Sequence, residues 1–425
     1  DARGAPGVRR AALGWPRVTV TVDAPPQIAG KARWAIDTLL AACAAPVDVA
    51  YPSSSLPGDE AAWSFLDGGE PQFGDDLVAV AFWHLSRWEE RPGSSRDRHG
   101  RFAAAFSAAD PESPAVDALL RRFQEVYGAQ RRPGFRVVLS HDIDEPWHWH
   151  GRSAVRASAW RLKQAVRERR PADVRAEAAG LAGLPYHRVR GSDPMWTFQQ
   201  MREVEGRHGG RSTHFLIGGH AHPADGPAQP YERLLGRIAG TIVAGGDEVG
   251  LHPSYTASGN ATRIAEERRR VEDAAGRAVT SVRFHFLRHE THRDLRLLDG
   301  LGFRVDSTQG YGDQPGLRAG FSHPYHPYDL DRDRPLGLLE VPLAVMDATL
   351  QDAHHLGLSA EDGLRRAIAV LELVAQSGGT AAVLWHNNRF APAYGRGWDR
   401  VYDRLLAWVR SRGGELVACE DAAPA

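Results

Sequence analysis

From residue 131 onward, short apolar runs alternate with longer stretches whose apolar positions recur every three or four residues. THFLIGG, DEVGLHPS, SVRFHFLR, FRVDST, LLEVPLAVMD, TAAVLWHNN and ELVACE read as strands. PYERLLGRIAGTIVAG, ATRIAEERRRVEDAAG, THRDLRLLDGLG, EDGLRRAIAVLELVAQ and WDRVYDRLLAWVRSR read as the helices between them. Alternation of this kind predicts parallel strands with helical crossovers, and about seven such units predict a closed barrel over an open sheet. The site of such a barrel lies at the carboxyl ends of its strands.

The first 130 residues follow another rhythm and are expected to form a smaller accessory α/β domain, with the barrel spanning 131–425. RVTVTVDA alternates like a strand. KARWAIDTLLAACAA has helical spacing, with Trp34, Leu39, Leu40 and Cys43 on or near one face. DDLVAVAFWHLSRWEE is apolar enough for either element, and QRRPGFR marks the boundary. Residues 151–195 interrupt the barrel pattern as a basic, helix-prone insertion. A solvated helical face is the favoured reading of that insertion; a lid for a phosphate-bearing substrate is the other.

Charge and cysteine content narrow the function. Fifty-two basic and 53 acidic residues give a formal charge of -1, so no bulk field draws the chain to nucleic acid or anionic membrane. Cys43 and Cys419 lack a CxxC partner, which argues against a disulfide framework or a thiolate zinc site. No run reaches the roughly 20 apolar residues of a membrane span. With no apolar signal core at the start, a cytoplasmic protein is the expectation, although the chain begins with Asp and a removed leader is compatible with that.

Histidine is the informative residue type. Of the 19 His, 11 cluster at 141–150, 214–222, 285–292 and 323–326, repeatedly where an apolar run stops. In SHDID, Asp142 and Asp144 lie two apart at a strand end and point to one side, so one can bind a cation while the other takes a proton. EVGLHPSY ends a strand in His252, a residue type suited to zinc. RFHFLR alternates, which puts Arg283, His285 and Leu287 on one face with Arg288 just past the end. LWHNN closes the last long strand with His386, expected to reach the site from the side opposite the first strand as a general acid.

These four elements, in this order, resemble the polysaccharide deacetylase superfamily, carbohydrate esterase family four. The resemblance implies a distorted (β/α)7-type deacetylase barrel, with Asp142 as base and Asp144 as metal ligand. The family's second His has Thr256 in its place here, and His285 is the candidate third ligand beside Asp144 and His252. Segments FWHLSRWEE, DRHGRF, DSTQGYGDQPGLRAG and LEVPLAVMDATL extend the resemblance to bacterial relatives with their own N-terminal domain.

The implied activity is metal-dependent removal of an acetyl or formyl group from the nitrogen of an amino sugar, in a polysaccharide, lipid-linked precursor or glycoside. One divalent ion is expected, Zn2+ first, with Co2+, Ni2+ and Mn2+ as alternatives. Arg288 is expected to hold Asp142 ionised, and Glu340 or Asp347 to orient His386. Tyr311, Arg318 and His323 are candidate sugar contacts. Hydrolysis of a non-sugar amide or O-ester, and a carbohydrate-binding pseudoenzyme, are the competing readings.

Overall fold

The computed structural model describes residues 19–45, 47–54, 56–148, 154–167, 171–190, 192–226, 228–391 and 395–423. The N-terminal unit holds β1 (Val20–Val22), α1 (Pro26–Ala41), β2 (Val49–Tyr51), α2 (Leu77–Leu85) and α3 (Ala115–Tyr127), with β1 and β2 paired in parallel. Pro26 opens α1, where a missing N–H costs nothing. Asp76 caps α2 by accepting from Val78 N and Ala79 N at 3.0 Å, so the ambiguous apolar run resolves as a helix.

The remainder follows the predicted alternation. β3 (Arg136–Ile143) leads through α4 (Ala154–Arg167), α5 (Pro171–Arg190) and α6 (Phe198–Arg207) to β4 (Thr213–Ile217). Then come α7 (Ala228–Ala244), β5 (Glu248–His252), α8 (Ala261–Ala275), β6 (Ser281–Val282), α9 (Thr291–Gly300) and β7 (Val305–Asp306). A hairpin of β8 (Tyr328–Asp329) and β9 (Arg334–Pro335) precedes β10 (Leu339–Glu340) and β11 (Leu343–Met346). The chain ends with α10 (Asp347–Gln351), α11 (Ala360–Ser377), β12 (Thr380–Leu384), α12 (Trp398–Ser411) and β13 (Glu415–Val417).

The large sheet is parallel throughout and runs β10-β7-β6-β5-β4-β3-β12-β11, with β13 added beside β3. Its two edges, β10 and β11, are consecutive in sequence. Val341 N donates to Asp306 O on one side, and Ala382 N donates to Pro342 O on the other. One bent strand, Leu339–Met346, thus curls the sheet shut, and the fold is an α/β barrel of the (β/α)7 type. Among the described residues, no helix is long and apolar enough to cross a membrane.

Period-2 geometry sorts each barrel strand into two faces. In β3, Val137 and Leu139 join the outer core under the helices, whereas Val138 packs inside with Phe215, Val305, Leu343 and Leu384. Ser140 and Asp142 share the parity of Val138 and continue the inner face toward the mouth. The outward His141 is buried instead, between Trp385 O (2.5 Å) and Glu205 (2.7 Å), and serves packing.

RFHFLR departs from expectation. Its strand stops at Val282, and His285–Leu287 form a 3-10 turn with Phe286 at φ 60 and Leu287 at φ 52. Clean alternation therefore ends before His285, and the side chains beyond it follow turn geometry.

The N-terminal core does not stop at residue 130. Ala319, Phe321, Tyr325 and Tyr328, from the chain after β7, are buried among Trp34, Trp63, Phe82 and Phe123. At this seam Asp117 of α3 is buried and accepts from Ser322 N at 3.0 Å. Burial pushes its carboxyl from 3.8 up to about 7, against the lowering effect of the Ser322 bonds. A folded pKa above the unfolded one means stability present in full below about pH 4 and lost as pH rises to about 7. The loss is up to about 4 kcal/mol, at 1.36 kcal/mol per unit. Asp117→Asn keeps the neutral form at all pH, so its stability relative to wild type should rise between pH 4 and 7 and level off above. Urea unfolding at a series of pH values checks this; a difference independent of pH would refute it.

Candidate metal centre and proton-transfer groups

The mouth of the barrel gathers side chains from four strand ends. Asp142 is the penultimate residue of β3, and Asp144 follows two residues later, just past the strand end. His252 is the last residue of β5. His285 comes from the turn after β6, and His386 directly follows the tryptophan beyond β12.

Asp144, His252 and His285 offer donor atoms that all lie within 4.8 Å of one another. His252 Nε2 is 3.4 Å from Asp144 Oδ1, and His285 Nε2 is 3.8 Å from Asp144 Oδ2. Such separations suit donors sharing one small cation at about 2.0–2.2 Å from each. The observation that tests the fit is an unmet need: Asp144 Oδ1 and His252 Nε2 are buried with no hydrogen-bond partner. Buried polar atoms are almost always satisfied, so these two call for a ligand.

Each imidazole is aimed from behind. His252 Nδ1 donates to Arg283 O at 2.5 Å, which turns Nε2 toward the carboxylates. His285 Nδ1 meets Asp225 Oδ1 at 3.0 Å, and Asp225 also accepts from Tyr255 N at 2.6 Å. Carboxylate or carbonyl partners of this kind set tautomer and orientation of metal-binding imidazoles. Burial disfavours ionisation of Asp144, but His285, His252 and His386 outweigh it and hold the carboxyl well below its usual range. Thr256 is exposed and takes no part.

Asp142 is treated differently from its neighbour. Arg283, wholly buried, donates from Nη1 to Asp142 Oδ1 at 3.1 Å and to Ser140 Oγ at 2.8 Å, and is braced by Ser307 O at 2.8 Å. The other carboxylate oxygen, Oδ2, is 3.4 Å from His252 Nε2. The role expected of Arg288 is thus filled by Arg283. The left-handed turn carries Arg288 away, to His99 O (2.9 Å) and Tyr255 O (2.8 Å).

His386 sits beside β3, not across from it, because β12 is the neighbour of β3. Its Nε2 is 3.7 Å from Asp144 Oδ2, and its Nδ1 is 2.6 Å from Asp347 Oδ1. Arg389 Nε donates to Asp347 Oδ2 at 2.7 Å. Burial alone would lower the imidazole's pKa; Asp347 chiefly, then Asp144 and Asp142, raise it to about 9. Of the two carboxylates considered for this task, Asp347 performs it. Glu340 bonds to Gln309 N and has its pKa raised by burial and by Asp306.

The three candidate sugar contacts lie elsewhere, in the seam between the two units. Arg318 donates to both oxygens of the buried Glu90, at 2.8 and 2.5 Å, and Tyr311 OH accepts from Arg87 at 3.3 Å. His323 is buried against Ser377 Oγ at 3.2 Å, and burial lowers its pKa to about 3. The sequence reading missed Asp225, Arg283 and Arg389 as supports. Asp225 had a signal, standing in a His- and Asp-rich loop after a strand.

A family model described as a family of unknown function, DUF7033, matches residues 30–127. No curated protein matches the chain. Among solved structures the chain resembles family 4 carbohydrate esterases and polysaccharide deacetylases. A Mycobacterium smegmatis protein that carries polysaccharide deacetylase as a provisional name is 17% identical, with TM-score 0.43 over 68% of this chain and 89% of that one. A CE4 family pseudoenzyme from Bacillus anthracis is 12% identical, with TM-score 0.37 over 69% and 67%. A family 4 carbohydrate esterase from Streptomyces lividans is 14% identical, with TM-score 0.32 over 67% and 92%.

The donor set makes a prediction of its own. Zn2+ or Co2+ titrated against a chromophoric chelator should bind with one ion per chain. Asp144→Asn, His252→Ala and His285→Ala should each abolish tight binding, and Asp225→Asn should weaken it by about 10- to 100-fold. Wild-type affinity in all three ligand variants would show that these atoms do not share an ion.

Proposed function

We propose that the protein is a metal-dependent hydrolase that removes an N-acyl group, acetyl or formyl, from an amino sugar. The observation that carries the reading is that Asp142, paired with Arg283, and His386, paired with Asp347, lie at two edges of one Asp144–His252–His285 cluster. The sugar as substrate class rests on the resemblance of SHDID, LHPSY and LWHNN to the polysaccharide deacetylase motifs.

Asp144, His252 and His285 would hold the ion, which when bound supplies Lewis acidity toward water and the acyl oxygen. Asp142, paired with Arg283 through one oxygen, keeps the other free to accept a proton from the attacking water. His386 keeps its own proton near neutral pH because Asp347 stabilises the imidazolium, and it can deliver that proton to the departing amine. Arg389 fixes Asp347, so the imidazole points Nε2 into the mouth. An amine leaves poorly as an anion, so an amide needs this donor more than an ester does.

Release of acetate or formate from N-acylated amino-sugar glycans, with no release from O-acetyl or peptide-amide controls, is the expected outcome of a substrate panel. Asp142→Asn and His386→Ala should each lower kcat by about 10²- to 10⁴-fold, the usual worth of a positioned acid or base. Unchanged turnover in both variants, or activity confined to the ester controls, would refute the assignment.

A further inference from the structure

A loop of the N-terminal unit, residues 97–101, touches the segments that carry His252 and His285. Asp97 ties this loop together: its Oδ1 accepts from His99 N (2.8 Å) and Arg101 N (2.9 Å), and its Oδ2 pairs with Arg101 Nε at 2.8 Å. The Arg101 guanidinium also lies against Gly312. Arg101 Nη1 donates to Phe286 O at 3.0 Å, across to the turn that carries His285.

That turn needs outside help. Phe286 and Leu287 are successive non-glycine residues in the left-handed region, a conformation that persists only where surroundings impose it. Phe286 is also exposed, so core packing does not hold it there. Beside the buried Leu287 side chain and the bond from His285 N to Pro253 O, the 97–101 loop supplies further contacts to this turn. His99 O accepts from Arg288 Nε at 2.9 Å, the His99 ring lies 5.2 Å from that of Phe286, and His99 Nδ1 meets Tyr255 OH at 3.1 Å. Tyr255 stands three residues after His252, so the loop touches both segments that deliver imidazoles.

We infer that Arg101 is a positioning residue for the metal centre: by fixing the Phe286 carbonyl it holds the left-handed turn that presents His285. This rests on the metal-site reading proposed above. The N-terminal unit is then a working part of the site, and His285 serves as third ligand because another unit of the chain shapes its backbone. Asp225 aims the ring, and Arg101 sets the main chain that bears it.

The test measures Zn2+ and Co2+ affinity of the full chain by chelator competition, with the Co2+ absorption spectrum and the Tm of the metal-free protein. Arg101→Ala should weaken both ions about 10- to 100-fold, the range of an outer-shell loss, and shift the Co2+ bands. The metal-free Tm should fall by at most about 5 °C. Combining Arg101→Ala with Phe286→Gly should recover most of the affinity, since glycine adopts the left-handed turn unaided. If Arg101→Ala does not fold, Arg101→Lys, which keeps the charge and loses the fork, carries the same expectation. Wild-type affinity in the Arg101 variant, or a loss that Phe286→Gly does not restore, overturns the inference. Should His285→Ala itself bind metal like wild type, the metal-site reading fails instead.

Discussion

Two carboxylates two residues apart cannot both stay ionised in a barrel mouth unless each is given its own countercharge, and the site is organised by that constraint. Asp142 receives Arg283, a guanidinium buried in the barrel and braced by Ser140 and Ser307. Asp144 receives imidazoles only, and one of its oxygens and the nearest imidazole nitrogen are left without a bond. The asymmetry distinguishes the two: Asp142 has its charge met by a fixed guanidinium, and Asp144 faces imidazoles.

The same economy separates the two carboxylate–histidine pairs. Asp225 and Asp347 both support an imidazole through Nδ1, at 3.0 and 2.6 Å. Asp225 also accepts from the backbone N–H groups of Tyr255 and His222, and the ring of His285 faces Asp144. Asp347 is locked by Arg389 and lies deep beneath His386, whose imidazolium it stabilises. Similar pairs thus differ in what stands behind the carboxylate, backbone N–H groups for Asp225 and a guanidinium for Asp347.

What could be read from the sequence follows from how local each determinant is. Asp142, Asp144, His252 and His386 end apolar runs, and a period of two carries such residues to the mouth without knowledge of the rest of the fold. The alternation of strands and helices likewise needs only local pattern. Arg283 and Arg288 were exchanged because the two left-handed residues at 286 and 287 break the alternation on which the choice depended. Tyr311 and Arg318 resemble sugar contacts in sequence because their partners, Arg87 and Glu90, are over 220 residues away in the chain. A buried ion pair of that span leaves no trace in local spacing.

That ion pair also bears on where one folding unit ends. Glu90 is fully buried between Arg87 of its own unit and Arg318 of the barrel chain, and it accepts from Thr291 Oγ1 as well. Burial would raise its pKa, yet the two arginines hold it far below the usual carboxylate range. Cutting the chain near residue 130 would leave Glu90 with one cation instead of two and would expose the face now covered by Phe321, Tyr325 and Tyr328. Both losses would destabilise a unit whose net stability is on the order of 5–15 kcal/mol. The stretch matched by the family model, 30–127, is therefore a unit of sequence that needs the barrel chain to complete its core. It contacts the barrel in turn, because the loop bonded to the turn that bears His285 lies within the same stretch.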